Sequence, residues 1–246
     1  RVLGNDHPST FTSIANMGIL LQRQGKYDEA LTYFTDALET SRRTSGDEHP
    51  NTWFMSYWAG DTLRHLKRYS EAFECLTWAE EKQRAGMIIH HDVHEYLLYT
   101  LNTIVDLFLD QEKHDEAITY LTEAVQKDRL ILGDEHPGVM GRIELVGHMY
   151  SIQGNCEDAA LWYTEALENS QRVLGDDDPS TIYYMTLVGE ELQSLERYDE
   201  AQAYYTKALK TSQKALGNDD PGTLLIISNM GDLHYWQDEY DEATPY

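Results

Sequence analysis

The chain has 246 residues, 19 Lys and Arg against 43 Asp and Glu, and a formal charge of −24. That balance solvates the surface and argues against nucleic acid or an anionic membrane as partner, because both require a basic face. No run reaches the ~18–20 apolar residues that cross a bilayer, and Arg1-Val2-Leu3-Gly4-Asn5-Asp6 lacks the apolar core of a secretion signal.

From the N-terminus, Pro8 suits the first turn of a helix, where its missing N–H costs nothing. Asp6 before it, and the acids at matching positions downstream, favour the positive helix end. Ile14, Met17, Gly18 and Leu21 recur at three- and four-residue steps, which predicts an amphipathic helix. Gln24-Gly25-Lys26 breaks it. A second helix starts near Tyr27, carries Ala30, Leu31, Phe34, Ala37 and Leu38 on one face, and ends near Ser45-Gly46, where glycine can take a left-handed cap. The unit is a helical hairpin.

This unit then repeats. Leu3-Gly4-Asn5-Asp6-His7-Pro8 recurs at 45–50, 132–137, 174–179 and 216–221. An acid-alanine pair keeps the same beat at Ala30, Ala72, Ala117, Ala159, Ala201 and Ala243, spaced by 42, 45, 42, 42 and 42 residues. A fixed period in this range predicts stacked hairpins rather than one globular core, because each unit buries its apolar face only against its neighbours. The predicted repeats are 8–49, 50–94, 95–136, 137–178, 179–220 and 221–246, in one array. Gly18, Gly60, Gly147, Gly189 and Gly231 share a register position, as do the alanines, so small residues let the two helices of each hairpin approach closely.

The third repeat departs from the pattern. Three residues are inserted between Gly86 and Glu95, and Glu95 stands where other repeats have Pro. His90, His91, His94, Asp92 and Glu95 are ligand types for a metal, but their spacing matches no zinc pattern and Leu98 breaks a His-Glu-x-x-His motif, so no metal is expected. Cys75 and Cys156, 81 residues apart, are expected to stay reduced, consistent with a cytoplasmic protein. The first and last residues fall inside partial repeats, Arg1-Val2-Leu3-Gly4 matching Arg172-Val173-Leu174-Gly175 and Asp241–Tyr246 opening another second helix. This predicts a segment of a longer array whose uncapped faces self-associate end to end.

Met17-Gly18, Gly25-Lys26-Tyr27, Asp28-Glu29-Ala30, Phe34 and Ala37-Leu38 resemble the tetratricopeptide consensus, and the 42-residue period with its Leu-Gly-x-x-His-Pro linker is similar to the kinesin-light-chain variety. The resemblance covers essentially the whole chain. It implies an all-α, right-handed α-α superhelical solenoid whose first helices line a concave groove that holds peptide segments.

That geometry puts one register position on the inner face: Asp61, Asp106, His148, Glu190 and Asp232. Phe54, Tyr57, Trp58, Tyr99, Asn102, Glu144, Tyr183 and Tyr235 flank it. Carboxylates beside aromatic faces suit a peptide bearing Lys or Arg, through ion pairing and cation–π contact. The same residues also read as the solvated face of an acidic protein. Two specificities known in the family find no support. A clamp for a terminal carboxylate needs Lys, Arg and Asn where this chain has Ala15, Ile19, Trp58, Tyr99 and Thr103. The basic groove with which kinesin light chains hold acidic, tryptophan-bearing peptides is here acidic.

No phosphate loop, dinucleotide fingerprint or Gly-x-Ser-x-Gly elbow occurs. The expected role is a non-catalytic scaffold for protein or peptide partners, without a cofactor. The alternative is the sensor or regulatory region of a larger signalling enzyme, a protein kinase or nucleotide-switch ATPase.

Overall fold

A computed structural model describes the backbone of residues 8–86 and 93–237 and the side chains of residues 12–86 and 96–237. The partial repeats at 1–4 and 241–246, and His90, His91 and Asp92 with the side chains of His94 and Glu95, lie outside the described residues. Within them the chain forms eleven helices and no strand: α1 Pro8–Arg23, α2 Tyr27–Ser45, α3 Pro50–His65, α4 Tyr69–Gly86, α5 Val93–Leu109, α6 His114–Leu132, α7 Pro137–Ile152, α8 Cys156–Val173, α9 Pro179–Ser194, α10 Tyr198–Ala215 and α11 Pro221–Trp236. They fall into two compact units, residues 1–117 and 118–246.

In the first unit α1 packs on α2 and α3 on α4, while α2 also packs on α3 and α4 on α5. In the second, α7 packs on α8 and α9 on α10, and α8 and α10 pack in turn on α9 and α11. Helices α2, α4, α8 and α10 are thus each wedged between two odd-numbered ones. The odd helices also touch one another, α1 with α3 and α3 with α5 in one unit and α9 with α11 in the other, so they share a side.

The close approach inside a hairpin rests on one glycine. A Cβ added to Gly18 would lie 2.6 Å from the Phe34 ring, one on Gly60 2.6 Å from Leu76, one on Gly147 2.7 Å from Tyr163 and one on Gly189 2.5 Å from Tyr205. Ala30, Ala72, Ala159 and Ala201 are fully buried. Successive hairpins are joined by buried hydroxyl pairs at a fixed spacing: Ser41 with Thr52 at 2.7 Å, Ser170 with Thr181 at 2.6 Å and Ser212 with Thr223 at 2.5 Å. Buried hydroxyls must find partners, and each pair satisfies both. Where the matching α6 position holds Asp128, the device changes. Asp128 is fully buried and pairs at 2.7 Å with the fully buried Arg142 of α7.

The linkers refine the expectations. The helix N-cap is the residue just before Pro, not the acid ahead of it: His49 and His136 accept the Asn51 and Gly138 N–H through Nδ1, and Asp178 and Asp220 accept from Ser180 and Gly222 through Oδ1. Each satisfies one of the amides that a helix start leaves open. The acids ahead of them bind elsewhere, Glu48 to Lys82, Glu135 to Arg172 and Asp177 to Lys214. Gly46 has φ 85° and ψ 171°, so it occupies the region open essentially to glycine alone rather than the left-handed helical cap. Inside the hairpins, Gly25 takes φ 76°, but Lys67, Glu112 and Glu196 hold φ 59° at the matching turns without glycine's freedom.

Candidate functional site

The exposed side of the odd helices carries the candidate residues. In the first unit α3 and α5 present them. Phe54, Tyr57 and Trp58 are half-buried, not open to solvent. Trp58 stacks on the core ring Phe34 at 5.7 Å between centroids, and Phe54 meets Trp58 edge-on at 5.8 Å. Phe54 and Trp58 therefore belong in part to the core around Ala30, Ala37 and Ala59. Tyr96, which the sequence reading passed over, extends the group through an edge contact with Phe54 at 5.6 Å. It stands one turn before Tyr99, and that three-residue step was the available signal. Tyr96 and Tyr99 are the open rings, about half exposed, and Asn102 is exposed beside them.

Asp61 and Asp106 do not stand as bare acids. Arg64 lies between them, 3.3 Å from Asp61, 3.8 Å from Asp106 and 2.9 Å from Asp110. Gln22 of α1 donates to the other oxygen of Asp61 at 2.6 Å, so this carboxylate latches neighbouring odd helices. One guanidinium serves three carboxylates, and the cluster stays negative. Burial raises the Asp106 carboxyl above its ordinary range, while Arg64 pulls it back. Burial likewise raises the Tyr57 hydroxyl. Asp110 lies outside the register that the sequence highlighted, so spacing alone did not mark its role.

In the second unit α7, α9 and α11 carry the rest. Glu144 accepts a hydrogen bond from the Tyr184 hydroxyl at 2.9 Å. Glu190 accepts from Asn229 at 2.8 Å, a latch between α9 and α11 like that of Gln22 on Asp61. Burial, helped by Glu191, raises the Glu190 carboxyl. His148, Tyr183, Asp232 and Tyr235 are exposed, and Tyr235 meets Trp236 edge-on at 6.0 Å. Glu144, Glu190 and Asp232 have no ion-pair partner among the described residues. These three acids are thus less neutralised than those around Arg64.

Among the described residues no three His, Cys, Asp or Glu side chains are grouped to hold a metal ion. Both cysteines are free thiols. No described helix is long and apolar enough to cross a membrane.

The sequence profile of the tetratricopeptide repeat family matches residues 9–85, 96–169, 140–209 and 187–246. No curated protein matches the chain significantly. The fold is similar to BtubC (BKLC) from P. vanneervenii, with 17% identity and a TM-score of 0.65 over 89% of this chain and 87% of that one. It is similar to a putative kinesin light chain of Podospora anserina with nearly identical TPR-like repeats, at 18% identity and TM-score 0.60 over 85% and 98%. It is also similar to a signal transduction ATPase with numerous domains and a tetratricopeptide repeat sensor from Pyrococcus horikoshii, at 15% identity and TM-score 0.55, over 96% of this chain but 41% of that one.

Proposed function

This chain belongs to the tetratricopeptide repeat family, a family of protein-interaction scaffolds, and from that premise we propose that it holds extended, basic peptide segments along its odd helices. The observation that carries the reading is the pairing of open aromatic rings with carboxylates on those helices: Tyr99 with Asp106 on α5, Tyr183 with Glu190 on α9 and Tyr235 with Asp232 on α11. In each pair the residues are three or seven apart, so they share a helix face. Aromatic faces supply apolar and cation–π contact. The carboxylates select Lys and Arg and disfavour acidic competitors by like-charge repulsion. The work is binding, not catalysis.

The test uses fluorescein-labelled peptides in which Lys or Arg alternates with Tyr, with counterparts carrying Glu in the basic places. The basic set binds, the acidic set does not, and affinity falls as salt screens the exposed charges over a Debye length of ~8 Å at physiological strength. Asp106→Lys or Asp232→Lys weakens binding about tenfold or more, equivalent to ~1.4 kcal/mol. Equal binding of both sets contradicts the reading.

A second reading keeps the same surface but makes it the sensor of a larger signalling enzyme. Support comes from the P. horikoshii protein, in which repeats of this fold are named as a sensor. The complete reading frame that encodes the chain decides it: a nucleotide-switch ATPase or kinase domain supports the sensor, and its absence removes this reading.

A further inference from the structure

One cavity of the second unit has the composition of a specific subsite. It measures about 430 Å³ and is lined by Glu190, Gln193, Glu196, Tyr205, Asn229 and Trp236, among others, a volume within the ~300–1,000 Å³ of small-ligand sites. Tyr205 is buried and its hydroxyl donates to Gln193 at 3.1 Å. That bond leaves the amide nitrogen of Gln193 unused by Tyr205. Glu190 uses one oxygen to accept from Asn229. Its second oxygen has no partner among the described residues. Glu196 adds a further carboxylate at the turn before α10. Trp236, 64% exposed, puts an indole at the edge.

The nearest base in sequence, Arg197, is occupied. Both its Nε and a terminal nitrogen donate to Glu200 at 2.7 Å. Among the described residues, two carboxylates therefore line a concave site without a cation, next to an aromatic face. A neutral or acidic occupant would leave a half-buried carboxylate uncompensated, which is costly. A cation resolves it. Between the two cationic side chains, the planar guanidinium stacks on an indole while its edge donates to carboxylates, whereas an ammonium is a compact and strongly hydrated charge.

We propose that this cavity receives the side chain of an arginine in the bound segment, with Glu190 and Glu196 accepting from the guanidinium and Trp236 stacked on its face. The inference rests on the basic-peptide reading above and specifies one subsite of it.

The probe is N-acetyl-arginine amide, with its citrulline and lysine counterparts, titrated to millimolar concentration against the whole chain labelled with ¹⁵N. The five tryptophans give five indole N–H signals, and Trp236→Phe identifies the one that matters. Arginine shifts that signal saturably, citrulline leaves it in place, and lysine acts more weakly. Glu190→Gln weakens arginine binding tenfold or more. Glu196→Gln, at a surface turn, weakens it several-fold and guards against a folding defect in the first variant. Equal effects of arginine and citrulline, or an unmoved Trp236 signal, overturn the subsite. If labelled peptides still bind in a manner sensitive to Asp106 and Asp232, only the subsite has failed. If they do not, the groove reading has failed as well.

Discussion

Gly147 of α7 lies beneath the ring of Tyr163 of α8, so close that a single added carbon would sit 2.7 Å from Cε1. By helix propensity alone, Gly147→Ala would stabilise α7 by ~1 kcal/mol. The ring forbids it. Tyr163 is buried and cannot retreat without disturbing the hairpin. Gly147→Ala is expected to destabilise the chain by ~1–3 kcal/mol, and Gly189→Ala, under Tyr205, should do the same. Denaturant midpoints check both. A gain in stability at either site would mean that the hairpins are looser than described.

The buried pair of Asp128 and Arg142 replaces the hydroxyl pair used between other hairpins. Removing one partner strands a charge in the interior, so Asp128→Ala should cost ~3–5 kcal/mol. The double change Asp128→Ala with Arg142→Met removes both charges and places at 142 the residue type found at the matching place in the second repeat, Met55. It should recover most of that loss, since a buried ion pair is commonly replaced by apolar packing without penalty. Equilibrium unfolding of the three proteins decides it. A double variant no better than the single one contradicts the account.

The N-caps predict a graded response to substitution. His49→Ala and His136→Ala remove the acceptor at the start of α3 and α7 and should each cost ~1 kcal/mol. His49→Asp and His136→Asp copy the caps of α9 and α11 and should preserve stability at neutral pH. Melting curves at neutral pH measure the losses, and Ala variants as stable as the parent would remove the His caps from the account.

Glu190 carries a pH dependence of definite sign. Burial holds its carboxyl above the ordinary range in the folded chain, so the folded state binds this proton more tightly than the unfolded state does. The associated stability is fully present below the unfolded pKa of ~4.3 and is lost as pH rises through the raised folded value. Glu190→Gln keeps an acceptor for Asn229 and removes the charge. It should raise the melting temperature at neutral pH, with the advantage closing in acid. The same variant should bind arginine less well, and that opposite movement separates a binding role from a merely structural one.

Much of the fold was legible because it is local and repeated. Pro8, Pro50, Pro137, Pro179 and Pro221 open helices, and the glycine and alanine registers fall at the close contacts. Less visible were interactions between side chains about forty residues apart, such as Gln22 with Asp61 and Asn229 with Glu190. Periodicity marks a face but not which neighbours on it bind one another. Arg64 shared a face with Asp61, yet its bond to Asp110 required coordinates. Asp128 and Arg142 were readable in principle, since both break their registers in adjacent helices. Exposure was the weakest inference: Phe54 and Trp58 lie on the odd-numbered α3 but spend part of their surface on the core.

The central claim is that partners lie along the odd helices. Backbone amide NMR shift mapping of the chain, titrated with a Lys/Arg-Tyr peptide, tests it most directly. The account predicts shifts concentrated around Tyr99, Asn102 and Asp106 of α5 and around Asp232 and Tyr235 of α11, with the exposed surfaces of α4, α8 and α10 unchanged. Shifts confined to those even helices, or no shift at saturating peptide, would contradict it.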